Sequence, residues 1–137
     1  MESSLSFLTA SPFVGAAGFM FALLTYMWVA KQPAGNAKMT GIADLIEDGA
    51  MTFLRKEYTI LLGFLAVVTA VLAVKLSTNT AICYIVGAFS SMMCGWIGMK
   101  AATKANVRTA EAAAQNGQGK ALLVAFYGGS VMGMAVG

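Results

Sequence analysis

Four long apolar runs alternate with polar segments along this chain. The runs without charged residues occupy four ranges: 7–30, 59–74, 81–99 and 121–137. A helix that crosses a bilayer needs about 20 predominantly apolar residues, and a short run can be lengthened by the helix that precedes it. Two polar segments, 31–58 and 100–120, and a brief connector at 75–80 separate the runs. The pattern therefore predicts an all-α integral membrane protein with four transmembrane helices.

The longest polar interruption, Met39–Ile60, still carries a helical pattern. Its apolar and small residues recur at spacings of three and four: Ile42, Leu45, Ile46, Gly49 and Phe53. This spacing places them on one face of a helix. We interpret the segment as a water-exposed amphipathic helix that continues into the second span. The alternative is a surface helix whose apolar stripe packs on neighbouring elements.

Composition excludes a soluble protein of this size. The chain of 137 residues is 58% hydrophobic and 11% charged, whereas soluble domains carry about 25% charged residues. The net charge is +3, but the basic residues lie at the ends of the apolar runs, so membrane topology explains them better than nucleic-acid binding. The chain has no histidine, so it cannot supply an imidazole to a metal site or to acid–base chemistry.

The basic residues predict the orientation of the helices. Segments 31–58 and 100–120 carry four Lys or Arg residues each, and the connector at 75–80 carries only Lys75. Because basic loops stay on the cytoplasmic side, we expect both polar segments to be cytoplasmic and the N-terminus to lie outside. The fourth run reaches residue 137 without a polar flank, so the expectation is a chain truncated within its fourth helix.

Two groups of charged residues are candidates for binding sites. Asp44, Glu47 and Asp48 form a carboxylate cluster that could bind Mg²⁺, although on a helix they also form an ordinary solvated acidic face, which we favour. Lys100, Lys104 and Arg108 share a helix face and could attract an anion, although such a row more often anchors a helix end at anionic headgroups. From the residues alone we assign no catalytic, cofactor-binding or metal-binding residue.

Small residues and cysteines indicate close helix packing. Small residues recur every fourth position in the third and fourth runs: Gly87, Ser91 and Gly95, then Gly129, Gly133 and Gly137. Such ridges let helix backbones approach closely in a membrane. Cys83 and Cys94 lie in one apolar run on nearly the same helix side, and we interpret both as small packing residues.

Three segments carry distinctive motifs. Ile42–Glu57 has the pattern IAxxIxxGAxxFLxxE, Gly98–Ala112 has GMKxATxANxRTxEA, and Ala125–Gly133 has AFxxGSVMG. These segments resemble the membrane-bound inorganic pyrophosphatases, which are pyrophosphate-energised ion pumps. The motifs occur in the family's order and at similar spacing, and the resemblance covers nearly the whole chain. The GMKxATxANxR block is the most specific of the three.

The resemblance implies a fold and a mechanism for a longer parent protein. The family forms a homodimer in which each subunit is a bundle of about sixteen packed helices in two concentric rings, and this chain resembles the first four helices, in the outer ring. In the parent, water attacks Mg²⁺-pyrophosphate at the cytoplasmic mouth, and hydrolysis is coupled to outward movement of H⁺ or Na⁺, with K⁺ stimulation in part of the family. Acidic motifs such as DNVGDN hold the substrate, and none occurs in these residues.

The resemblance therefore implies a scaffold segment that is inactive alone, in a prokaryotic inner membrane, with no nucleic-acid partner. As outer-ring groups, Asp44, Glu47, Lys104 and Arg108 are expected to help shape the cytoplasmic entrance. Two alternatives remain open at this stage. One is a complete small four-helix transporter, although its first span lacks the carboxylate that proton exchange requires. The other is a structural membrane subunit that packs on a separate catalytic chain.

Overall fold

The computed structural model describes the backbone of residues 2–136 and the side chains of residues 11–136. Four α-helices account for nearly all of it, and their bounds follow in chain order: α1, Glu2–Ala30; α2, Ala37–Lys75; α3, Thr78–Asn116; α4, Gln118–Val136. Each is long and apolar enough to cross a membrane. The prediction of an all-α membrane protein with four spanning helices is confirmed.

The polar segments form parts of two very long helices. α2 and α3 have 39 residues each, which corresponds to about 58 Å at 1.5 Å per residue. The hydrocarbon core of a bilayer is about 30 Å thick, so roughly half of each helix must extend beyond it. The amphipathic segment and the second span therefore form one uninterrupted helix, as the interpretation of Met39–Ile60 requires.

The breaks between helices are shorter than the sequence pattern predicts. Asn36 ends the first break because its side chain accepts a hydrogen bond of 3.0 Å from the Met39 amide. Helix α2 therefore begins at Ala37, two residues before the predicted helical segment Met39–Ile60. Ser77 caps α3 in the same way, through the Thr80 amide at 3.3 Å. The predicted connector of 75–80 is thus reduced to two residues.

The second polar segment is mostly helical, because only Gly117 interrupts it. Gly117 has φ of +80°, a conformation that glycine adopts without the steric cost other residues meet. Gly119, two residues further on, lies within α4. The limits of the four spans within these helices, and the side of the membrane on which each end lies, remain predictions.

Helix α3 is the centre of the bundle. It packs on α4, α2 and α1, and α1 also packs on α4, whereas the described part of α2 packs on α3 alone. The apolar stripe predicted on α2 is consequently only partly covered within the described residues: Leu45 is 73% exposed and Phe53 61%, while Leu54 is buried. The buried core is built from small residues, with Ala22, Ala101 and Val131 in one cluster and Ala112, Ala121 and Val124 in another.

Most of the glycines that recur every fourth position do not make the close helix contacts that this spacing predicts. A Cβ added to Gly87, Gly129 or Gly133 would meet nothing within 4 Å, and Gly137 lies outside the described residues. Gly95 does face a neighbour, the Tyr58 hydroxyl. The closest approach lies at Gly128, where an added Cβ would overlap the Cβ of Ala105 on α3. The close approach of α3 and α4 thus occurs at Gly128 and Ala105, and the spacing of small residues alone does not predict these two positions.

Candidate functional site

Four charged residues that the resemblance assigns to the cytoplasmic entrance line a single cavity between α2 and α3. Asp44 and Glu47 come from α2, and Lys104 and Arg108 come from α3. The cavity has a volume of about 170 Å³, and the side chains of Thr40 and Thr103 also line it. We call it the polar cavity. The helical spacing of both pairs explains their convergence, since residues three or four apart lie on the same helix face.

Arg108 is held in place by backbone carbonyl groups. One guanidinium nitrogen donates to the Lys104 carbonyl oxygen at 2.8 Å, and the other donates to the Ala30 carbonyl oxygen at 3.1 Å. Ala30 is the last residue of α1. The side chain thus places a positive charge at the carboxyl end of α1, where the helix dipole and unpaired carbonyl groups favour it.

Lys100 is separated from the two basic residues with which it shares a helix face. It lines a second cavity of about 300 Å³ between α2 and α3, together with Glu47, Asp48, Arg55 and Tyr58. We call this the mixed cavity. The Lys100 Nζ atom lies 4.8 Å from the centre of the Trp96 ring, within the range of a cation–π interaction. The predicted basic row is therefore divided between two environments and does not form one anion site.

The acidic cluster is likewise divided. Asp44 and Asp48 are exposed, and they line the polar and the mixed cavity respectively. Within residues 11–136, no group of three or more Asp, Glu, Cys or His side chains is close enough to hold a metal ion. Because Mg²⁺ requires convergent oxygen ligands, this arrangement does not fit a magnesium site, and we derive no chemical step through Mg²⁺ from these residues.

Cys94 and Tyr58 contact neighbouring helices. The half-buried Cys94 donates from Sγ to the Ala135 carbonyl oxygen at 2.8 Å, and Cys83 is exposed; both are free thiols. The Tyr58 hydroxyl donates to the Met92 carbonyl oxygen and thereby joins α2 to α3. Tyr58 belongs to none of the predicted site residues; its position between a charged segment and an apolar run, where tyrosines are enriched, was the available signal.

Comparison with known proteins identifies the family. The family described as "Inorganic H+ pyrophosphatase" matches residues 16–137. The chain is 50% identical over 129 residues to a Clostridium tetani protein whose name contains the words "K(+)-stimulated pyrophosphate-energized sodium pump". That match covers 94% of this chain and 19% of the relative.

Of two further relatives, one is named as a proton pump and the other as a sodium pump. One is the "K(+)-insensitive pyrophosphate-energized proton pump 2" of Moorella thermoacetica, 44% identical over 88% of this chain and 18% of the relative. The other is the "K(+)-stimulated pyrophosphate-energized sodium pump" of Thermotoga maritima, 39% identical over 85% of this chain and 16% of the relative. The chain thus spans about a fifth of the length of the curated relatives that it matches, and it belongs to the inorganic H⁺ pyrophosphatase family of multi-pass integral membrane proteins.

Proposed function

We propose that the full-length protein is a pyrophosphate-energised ion pump, which couples hydrolysis of Mg²⁺-pyrophosphate on the cytoplasmic side to outward transport of H⁺ or Na⁺. The observation that carries the proposal is the family match over residues 16–137. The names of the relatives, which are pumps energised by pyrophosphate, support it. The protein is then a hydrolase and an ion translocase in a prokaryotic inner membrane.

Within that pump, the 137 residues form outer-ring scaffold. The apolar runs contain no Asp, Glu, Lys or Arg, whereas an ion path through a membrane needs ionisable or polar groups facing it. The described helices instead pack through small buried residues, which suits a structural role. The ligands of pyrophosphate and Mg²⁺ are then supplied by other parts of the full-length protein.

The polar cavity contributes to the cytoplasmic entrance of the pump. Its four charged side chains, Asp44, Glu47, Lys104 and Arg108, belong to the parts of α2 and α3 that extend beyond the predicted bilayer. Fixed charges near an entrance change the local concentration of an anionic substrate and of its counter-ions. In this proposal these residues act on substrate approach and do not take part in hydrolysis.

K⁺ dependence and assembly are further parts of the proposal. Two of the named relatives are K⁺-stimulated and one is K⁺-insensitive, so a K⁺ response is proposed as a property to be measured in the parent pump. The family resemblance supports a homodimer, with the lipid bilayer, pyrophosphate and the transported ion as partners.

Reconstitution of the full-length protein tests this function. In inverted membrane vesicles, we expect pyrophosphate with Mg²⁺ to drive uptake of H⁺, measured with a pH-sensitive dye, or of radioactive Na⁺. Phosphate release should accompany uptake, and residues 1–137 expressed alone should release none. Absence of pyrophosphate hydrolysis by the full-length protein would overturn the proposal.

The coding sequence distinguishes the remaining alternative. Continuation beyond position 137 into further spans with acidic motifs supports the pump. A stop codon directly after Gly137 would instead favour a structural subunit that packs on a separate catalytic chain. The small-transporter alternative is disfavoured by the family match.

A further inference from the structure

A third cavity, which is apolar, opens outward between α1, α3 and α4. Its volume is about 300 Å³, at the lower end of the range for small-molecule sites. Its wall includes Phe19 and Leu23, which are 47% and 54% exposed, and its floor includes the buried Val131. We call it the apolar cavity. Because the wall residues face away from the bundle, the occupant must come from outside these four helices.

The rim of the apolar cavity combines a positive charge with two amphipathic aromatic side chains. Tyr26, Trp96 and Lys100 all line it, and Lys100 directly follows the third apolar run. Tyrosine, tryptophan and lysine with this arrangement are typical of the boundary between hydrocarbon and headgroups. With the predicted limits of the spans, the apolar interior lies at acyl-chain depth and the cationic rim at headgroup depth.

Lys100 is available to pair with an anion. Its ammonium group lies over the Trp96 ring at 4.8 Å. Glu47 and Asp48 line the mixed cavity together with Lys100. Among the side chains of residues 11–136, however, none of the carboxylates forms an ion pair with Lys100 at an N–O distance of 4.0 Å or less. An ammonium group at a membrane boundary interacts favourably with anionic lipid.

We propose that the apolar cavity binds an acyl chain of an anionic phospholipid whose phosphate group pairs with Lys100. Charge complementarity selects this occupant. A free phosphate ion would gain nothing from the apolar wall, and a zwitterionic lipid would place a second positive charge near Lys100. A protein segment could fill the apolar wall but would need a carboxylate at Lys100, so it is the competing occupant that the experiment must exclude.

Photo-crosslinking on the full-length protein tests the proposal. Phosphatidylglycerol with a diazirine in its acyl chain is incorporated into membranes, and the labelled peptides are identified by mass spectrometry. We expect labelling of the α1 and α3 peptides that contain Leu23 and Ile97. Lys100→Gln should lower this labelling about five-fold, the equivalent of ~1 kcal/mol for one basic residue at an anionic surface. Lys100→Arg should retain it.

Matched controls and a second variant keep the test decisive. Lys56→Gln removes the same charge from an exposed position of α2 outside the cavity and should leave labelling unchanged. Leu23→Trp keeps Lys100 but fills the cavity mouth, and it should also lower labelling; size-exclusion chromatography verifies folding of each variant.

Three results would overturn the proposal. One is equal labelling by the corresponding phosphatidylcholine probe, and another is labelling that Lys100→Gln leaves unchanged in a folded protein. The third is a crosslink from a photoreactive residue at position 23 to another protein segment in place of lipid. None of these results depends on pyrophosphate hydrolysis, so the lipid site can fail while the proposed pump stands.

Discussion

The guanidinium group of Arg108, in the middle of the C-terminal half of α3, donates a hydrogen bond to the carbonyl oxygen of Ala30, the last residue of α1. The two residues are 78 positions apart in the chain. α1 has no basic residue in its own last turn, so Arg108 supplies from another helix the positive charge that stabilises a helix carboxyl end. A residue that the sequence placed in a basic row at the entrance is therefore also a tertiary cap.

Loss of this cap should destabilise the bundle. We expect Arg108→Gln to lower stability by about 1.5–3 kcal/mol, the contribution of a hydrogen bond to a charged group. Arg108→Lys should recover only part of this, since lysine cannot bond two carbonyl groups with one planar fork. The apparent Tm of the full-length protein in detergent measures the effect. Arg55→Gln, at an exposed position of α2, is the control, and an equal loss there would contradict the assignment.

Adjacent glycines on α4 provide a matched pair for testing the contact between α3 and α4. Gly128→Ala should cost about 1–3 kcal/mol, as overpacking does in well-packed cores, because its Cβ would overlap that of Ala105. Gly129→Ala should not destabilise the protein, because an added Cβ there meets nothing within 4 Å among the described residues and alanine favours a helix more than glycine does. Resistance to thermal unfolding in detergent distinguishes them.

A compensating change sharpens that test. Combining Gly128→Ala with Ala105→Gly moves the methyl group from α3 to α4 and should restore most of the lost stability. A Gly128→Ala variant as stable as Gly129→Ala would show that the two helices do not approach closely at this position.

The hydrogen bond between Tyr58 and Met92 should make a smaller contribution. We expect Tyr58→Phe to lower stability by about 0.6 kcal/mol, the average for side-chain hydrogen bonds between helices in a membrane protein. Gly95→Ala should displace the same hydroxyl, which lies 2.8 Å from the position of the added Cβ. Tyr84→Phe is the control within α3. If Gly95→Ala and Tyr58→Phe are fully additive, the two residues are not coupled through this contact.

The predicted orientation can be tested by cysteine labelling. In a background with Cys83→Ala and Cys94→Ala, Asn79→Cys should react with a membrane-impermeant maleimide in intact cells, because the connector at 75–80 is expected outside. Gln115→Cys should react only after the membrane is opened. Both positions are exposed in the structure. The opposite pattern would reverse the topology and place the polar cavity outside.

The role of the polar cavity at the entrance predicts changes in substrate handling without loss of hydrolysis. Asp44→Asn, Glu47→Gln, Lys104→Gln and Arg108→Gln in the full-length pump should change the KM for pyrophosphate or the coupling ratio. We expect changes of about 1.5- to 5-fold, because a partly exposed charge contributes ~0.2–1 kcal/mol. Lys56→Gln should change neither. Unchanged KM and coupling at all four positions would exclude the role.

The helices were predictable because their signals are local. Apolar length defines the spans, and the spacing of Ile42, Leu45 and Ile46 correctly predicts that the helix extends into the polar segment. The exact breaks were less predictable because each depends on one capping residue, such as Asn36, or on the backbone conformation of Gly117. Several residues in each polar segment could equally end a helix or continue it.

Helix pairing and part of the candidate site depended on information that a single sequence lacks. Both Gly128 and Gly129 suit close packing, and only the position of α3 determines that Gly128 is the one in contact. Similarly, the regular spacing of Lys100, Lys104 and Arg108 suggests one surface, but Trp96 and the end of α1 give Lys100 and Arg108 different partners. The resemblance assigned Asp44, Glu47, Lys104 and Arg108 to the cytoplasmic entrance, but their convergence in one cavity depends on the packing of α2 on α3.

The packing order of the helices has a consequence for biosynthesis. Within the described residues, α1 packs on α4 and α3 and not on α2, the next helix to leave the ribosome. Among these four helices an inserted α1 therefore has its first packing partner only when α3 follows it, and Arg108 must be synthesised before the end of α1 acquires its cap. During this interval α1 must be retained by lipid or by the insertion machinery, and α3 serves as the template on which the earlier helices assemble.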